Sequence, residues 1–149
     1  MQNGTVSELC MYTEKDDNIQ PKDHASNIMI VDDDLDILIT IKIGLEQKGF
    51  KIHTFNCGKS ALDAFEDHAP NYYDLVLTDI RMPTMNGFAL YLCLKEKNPS
   101  LKIAFMTAFD MPIEEFRAVI PSVEINDIIK KPCTIDDLAA WIEYILIAR

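Results

Sequence analysis

Several side chains capable of phosphate or metal chemistry stand directly behind short apolar runs in this 149-residue sequence. Asp32, Asp33 and Asp34 follow the apolar residues 28–31, and Asp79 follows the run 74–78. Thr107 follows 102–106, and Lys131 follows a weaker run over 125–129. If those runs are parallel strands, their carboxyl ends share one edge of a sheet, where ligands bind in open α/β folds. Carboxylates brought within about 5 Å at an effective dielectric near 20 repel by roughly 3 kcal/mol per pair, so the cluster calls for a cation. A hard divalent ion with oxygen ligands answers that need. Few carboxylates with room for water suit Mg²⁺ better than a dedicated calcium cage, and Lys131 adds a second positive charge. Each group also has a plainer reading: the acidic triplet as a solvated turn with Asp34 or Asp36 as a helix cap, Lys131 as a surface residue.

The elements that would position these groups alternate. Residues 28–31 form a continuous apolar run, as expected of a strand buried on both faces. A helix over 36–48 follows, with Leu38, Ile41 and Leu45 on one face and Gly49 as its stop. Residues 51–55 read as a second strand, and Asn56 as the cap of a helix carrying Ala61, Leu62 and Phe65 that ends near His68, before Pro70. After the strand ending at Thr78 and a loop over 79–87, a helix over 88–97 stops before Pro99, and 102–106 is the fourth strand. A helix over 113–120 is cut by Pro121, and 125–129 is a weaker fifth strand. The last helix opens at Thr134, with Asp137 three residues on, and uses Leu138, Trp141, Ile142, Ile145 and Leu146 as its apolar face. Five strand and helix units in alternation predict an α/β fold: a doubly wound, five-stranded parallel sheet with helices on both faces.

Composition narrows the function. The length suits one domain, and 48% hydrophobic residues allow one sizeable core. A net charge of −10 argues against nucleic acid or anionic membrane partners, which need clustered Lys and Arg. Cys10, Cys57, Cys93 and Cys133 form no C-x-x-C pair, which fits reduced thiols in the cytoplasm. No apolar run is long enough to span a bilayer, and the first residues lack a signal peptide's basic start and apolar stretch. Residues 1–27 are polar without sustained periodicity and read as a flexible tail, leaving 28–149 as the domain. His24, His53 and His68 are scattered and read as surface residues, and Cys133, beside Lys131, as a packing residue.

Over residues 28–149 the chain resembles the receiver domain of two-component response regulators. The resemblance rests on Ile30-Val31-Asp32-Asp33-Asp34, on Asp79-Ile80-Arg81-Met82-Pro83-Thr84-Met85-Asn86-Gly87, on Met106-Thr107-Ala108 and on Lys131-Pro132. It implies a flavodoxin-like strand order of 2-1-3-4-5. It makes Asp79 the phosphoacceptor, Asp33 a direct Mg²⁺ ligand and Asp32 an outer ligand acting through water, with Asp79 and the backbone carbonyl of Arg81 completing the protein's share of the metal shell. Thr107 would bind a phosphoryl oxygen, and Lys131 would pair with the phosphoryl group, its bond to Pro132 being cis. Phosphoryl transfer needs positioning and charge neutralisation more than covalent help, which these groups supply. The small Ala108 either opens the site to a donor phosphohistidine or serves packing.

The same resemblance implies a phosphoacceptor rather than an enzyme, with a sensor histidine kinase or a histidine phosphotransfer protein as donor and a further protein as target. Because the sequence stops shortly after the last helix, a stand-alone receiver is expected. Two features depart from the family. Ile128 stands three residues before Lys131, where an aromatic that changes rotamer is usual, and Pro121 shortens the fourth helix. Among other classes, a phosphatase with an Asp nucleophile would need a second acid at Arg81. A phosphate-independent interaction module would be expected to lose Asp79, Asp33 or Lys131, and no glycine-rich loop follows the first strand to bind a nucleotide or flavin.

Overall fold

The computed structural model of the chain describes residues 25–108 and 110–148. The polar tail expected over 1–27 falls outside the described residues as far as position 24, as do His24 and Cys10. The elements run β1 (Asn27–Val31), α1 (Leu35–Glu46), β2 (Lys51–Phe55), α2 (Gly58–Glu66), β3 (Leu75–Thr78), α3 (Gly87–Lys97), β4 (Ile103–Thr107), α4 (Ile113–Val119), β5 (Ile128–Lys130) and α5 (Ile135–Ala148). All strand pairs are parallel and the order is β2-β1-β3-β4-β5, as the resemblance implies.

Period-2 alternation sorts the central strands between two cores. Ile28, Ile30, Leu75, Leu77, Ala104 and Met106 face α1 and α5, where Leu38, Ile41, Leu45, Leu138, Ile142 and Ile145 meet them. Met29, Val31 and Val76 face the other way, onto Ala61 and Phe65 of α2 and Leu90 and Leu94 of α3. Phe105 continues that second face toward α4, packing with Ile80, Phe116, Ile120 and Val123. Because β1, β3 and β4 are covered on both sides, they read as unbroken apolar runs.

Helix starts follow local chemistry. Asp34 caps α1, its side chain accepting from the amides of Asp36 and Ile37, and Asn86 caps α3 through the amide of Ala89. Asp137 N donates to Thr134 Oγ1 at 3.0 Å, as the capping pattern predicts. At α2 the expectation fails: Cys57, not Asn56, is the cap, and no side chain accepts from the first amides. Gly49 lies beyond α1 with φ of 99°, a left-handed stop that glycine adopts without strain.

The expected strand over 125–129 is also corrected. Ile125–Asp127 is a turn of 3-10 helix, closed by a reciprocal bond in which Glu124 N donates to Asp127 Oδ2 at 2.9 Å. Only Ile128–Lys130 joins the sheet, pairing Phe105 with Ile128 and Thr107 with Lys130. No helix among the described residues is long and apolar enough to cross a membrane.

Candidate functional site

The carboxyl ends of β1, β3, β4 and β5 converge because the register aligns them: Val31 lies beside Thr78, and Thr107 beside Lys130. One residue further along each strand come Asp32, Asp79 and Lys131. Backbone bonds extend the sheet that far, with Asp79 N donating to Val31 O at 2.9 Å and Lys131 N to Thr107 O at 2.8 Å. Asp32 and Thr107 are buried, Asp79 is 8% exposed, and Asp33 is open to solvent.

Carboxylate oxygens of Asp32, Asp33 and Asp79 all lie within 4.8 Å of one another. Lys131 reaches in from the other side, its ammonium donating to Asp32 Oδ2 and, at 3.2 Å, to Asp79 Oδ2. Asp79 Oδ1 accepts from Ile80 N at 2.7 Å, and Asp32 Oδ1 from Asp34 N at 2.9 Å. The neighbouring Lys130 turns away to an exposed ion pair with Asp110, so the lysine adjoining the proline is the one at the site.

Charge in this cleft is out of balance. Burial pushes the Asp32 carboxyl above its usual range, and the Lys131 hydrogen bond and the Asp34 amide offset this only in part. For Lys131 burial pulls downward, but the bond to Asp32 and the charges of Asp32 and Asp79 outweigh it and hold the ammonium above its ordinary value. Three carboxylates and one ammonium leave a formal charge of −2, which one divalent cation would cancel. The donor set is all oxygen, and ligand atoms on opposite sides of Mg²⁺ stand about 4.2 Å apart. A spread of 4.8 Å therefore suits two direct ligands with a third reaching through water, or a small inward adjustment. The residues present fit the ion.

The loop after β3 is held by its last residue. A Cβ on Gly87 would sit 2.2 Å from Asp79 O and 3.0 Å from the Cα of Ile80, so nothing larger than glycine fits. Gly87 N donates to Ile80 O at 2.8 Å. Within the loop Thr84 has φ of 69°, a left-handed conformation unusual for a β-branched residue. Arg81 occupies this loop, exposed, two positions after Asp79. The Lys131-Pro132 peptide is cis.

The structure thus gathers Asp32, Asp33, Asp79 and Lys131, with Thr107 at the adjoining strand end and Ala108 exposed beyond it. Residues expected to be incidental stay outside this group. Burial raises the Cys133 thiol more than Lys131 lowers it, and the side chain packs against the α1/α5 core. His53 is a correction, being half-buried rather than a surface residue: its ring packs edge-on to Tyr72 and Tyr73, and burial lowers its pKa. His68 stacks on Tyr72 with 3.9 Å between ring centroids. The sequence reading left out Thr78, whose buried hydroxyl donates to Asp79 O at 2.8 Å. A lone threonine at the end of an apolar strand carries no signal that its hydroxyl faces the next carbonyl.

A doubly wound sheet with an acidic, lysine-bearing pocket at its carboxyl edge places the molecule among α/β proteins that work at a strand-end cleft. The chain belongs to the response regulator receiver domains of two-component systems, whose family model matches residues 28–143. It is 34% identical over 116 residues to the DNA-binding transcriptional regulator NtrC of Klebsiella pneumoniae, covering 76% of this chain and 23% of that protein. With the heme response regulator HssR of Staphylococcus epidermidis it shares 31% over 120 residues, 80% of this chain and 51% of the relative. The chain thus spans about a quarter of the first relative's length and about half of the second's.

Among solved structures, a response regulator receiver domain protein from Clostridium thermocellum aligns with a TM-score of 0.71 and 26% identity, covering 81% of this chain and 94% of that one. The chemotaxis protein CheY4 of Vibrio cholerae gives the same TM-score at 19% identity, over 81% and 98% of the two chains, and shows likeness of fold alone.

Proposed function

We propose that this receiver domain takes a phosphoryl group from a phosphohistidine onto Asp79, with Mg²⁺, and signals through contacts with other proteins. The observation that carries this reading is the convergence of Asp32, Asp33 and Asp79 within 4.8 Å, with the Lys131 ammonium bridging Asp32 and Asp79. In the transfer an oxygen of Asp79 attacks phosphorus, the P–N bond to the donor imidazole breaks, and that nitrogen retains the electron pair and takes a proton. The product is an acyl phosphate on Asp79.

Asp33, Asp79 and the backbone carbonyl of Arg81 would hold the ion directly, with Asp32 acting through water. When bound, the ion would neutralise charge on the phosphoryl oxygens. Lys131 draws one carboxylate oxygen of Asp79 toward it and can follow the charge onto the arriving phosphoryl group, while Thr107 offers a hydroxyl at the neighbouring strand end. The donor would be a sensor histidine kinase or a histidine phosphotransfer protein, and the target a further protein.

Intact mass after incubation with acetyl phosphate and Mg²⁺ tests the reading. The wild type is expected to gain one phosphoryl group and Asp79→Asn none. Labelling of Asp79→Asn at the wild-type rate refutes it.

A further inference from the structure

We infer that Thr78 is a positioning residue for phosphoryl acceptance, acting through the peptide unit that joins Asp79 to Ile80; this rests on Asp79 being the acceptor. Thr78 is wholly buried at the end of β3, and its hydroxyl donates to the carbonyl oxygen of Asp79 at 2.8 Å. That carbonyl belongs to the same planar unit as the Ile80 N–H, which donates to Asp79 Oδ1 at 2.7 Å. A peptide unit is rigid, so a bond that fixes the direction of its oxygen also fixes the direction of its N–H.

Gly87 closes the arrangement from the far side. Its Cα packs so near the Asp79 carbonyl that a Cβ would come within 2.2 Å of the oxygen, and its own amide donates to Ile80 O. The unit is therefore held at its oxygen by Thr78, hemmed in by Gly87, and used at its nitrogen to grip one carboxylate oxygen of Asp79. With Oδ1 gripped, Oδ2 is the oxygen turned toward Lys131, 3.2 Å away, and is the one presented to phosphorus. A buried hydroxyl needs some acceptor, and a purely structural threonine would meet that need at any carbonyl. Here the acceptor is the one carbonyl whose rotation would turn the Ile80 N–H away from the nucleophile.

The test uses Thr78→Val, which keeps the shape and loses the donor, and Thr78→Ser, which restores the donor on a smaller side chain. Two readouts are taken on the full chain: the initial rate of phosphorylation by acetyl phosphate with Mg²⁺, and hydrogen exchange of the Ile80 amide by NMR without any phosphodonor. Thr78→Val is expected to slow phosphorylation about tenfold and to speed Ile80 exchange by a similar factor, with Thr78→Ser within about twofold of wild type in both. If Thr78→Val does not fold, Thr78→Cys, of similar size with a weak S–H donor, takes its place and should be slower than Thr78→Ser by less than about tenfold.

A wild-type rate in the variant lacking the donor, unchanged Ile80 exchange, or a serine variant as impaired as the valine one overturns the inference. Should the wild type itself take up no phosphoryl group, the acceptor reading falls, and the inference falls with it. Slow transfer confined to the valine variant leaves the acceptor reading intact.

Discussion

Replacing Lys131 by Met separates two roles that are superimposed at the site. The Lys131 side chain is 14% exposed, and the side chains of its partners Asp32 and Asp79, taken without their backbone, are 1% and 11% exposed, so their charges are poorly hydrated. Removing one partner from such a group costs roughly 3–5 kcal/mol, because the other charges stay buried without it. At the lower end of that range, about 3 kcal/mol, the melting temperature would fall by about 10 °C without metal. Mg²⁺ affinity should move the other way. An ammonium about 6 Å from a divalent ion at an effective dielectric near 20 repels it by roughly 5 kcal/mol before screening, and a third of that is about twentyfold in affinity. Thermal melts in chelator and calorimetric Mg²⁺ titration measure both. The expected variant is less stable, binds Mg²⁺ at least tenfold more tightly and is phosphorylated about a hundredfold more slowly. Weaker Mg²⁺ binding, or an unchanged melting temperature in chelator, would refute the view of Lys131 as a cation already compensating this cluster.

Other expectations follow from the same geometry. The folded Asp32 carboxyl titrates above its unfolded value of 3.8, so its favourable contribution is present below pH 3.8 and is lost as pH rises through the raised value. Asp32→Asn should therefore melt at a higher temperature than wild type at pH 7 in chelator, with the gap shrinking toward pH 4; a constant gap across that range would sink the argument. Gly87→Ala would drive a Cβ into backbone atoms and should cost about 2 kcal/mol net, seen as a melting temperature several degrees lower, whereas an unchanged value would mean the loop yields freely. Because Ile128 is half-buried against the cluster of Phe105 and Phe116 and carries no ring to swing, beryllofluoride should protect amides around Asp79 and Thr107 more than those of α4 and β5. Hydrogen exchange with protection centred on 112–128 and little over 79–87 would contradict that.

Legibility in the sequence tracked how many constraints acted on each stretch. β1, β3 and β4 were readable because burial on both faces favours an apolar run, and a residue that reaches the site ends β4 and stands one position beyond β1 and β3. β5 is short and lies at the sheet edge, so Ile125, 63% exposed, looked like strand where the chain makes a 3-10 turn held by Asp127. The α2 start misled for a related reason: Asn56 has the chemistry of a cap, but its neighbour Cys57 takes the position without side-chain help. His53 depended on tertiary neighbours, Tyr72 and Tyr73, that no local pattern brings to it. The carboxylates and Lys131 were visible as strand-end residues, whereas the Thr78 bond depends on the orientation of one peptide plane.

The span of chain between the charges has a bearing on how the protein is made. Lys131 lies 99 positions after Asp32 and 52 after Asp79. At synthesis rates of about 5–20 residues per second, the ribosome takes roughly 3–10 s to add the 52 residues that follow Asp79. During that interval β1 and β3 can pair and bring Asp32 beside Asp79 with no lysine there to meet them. The edge where β1 and β3 meet would then hold two carboxylates side by side, and the ammonium that bridges them in the finished domain is added only with Lys131.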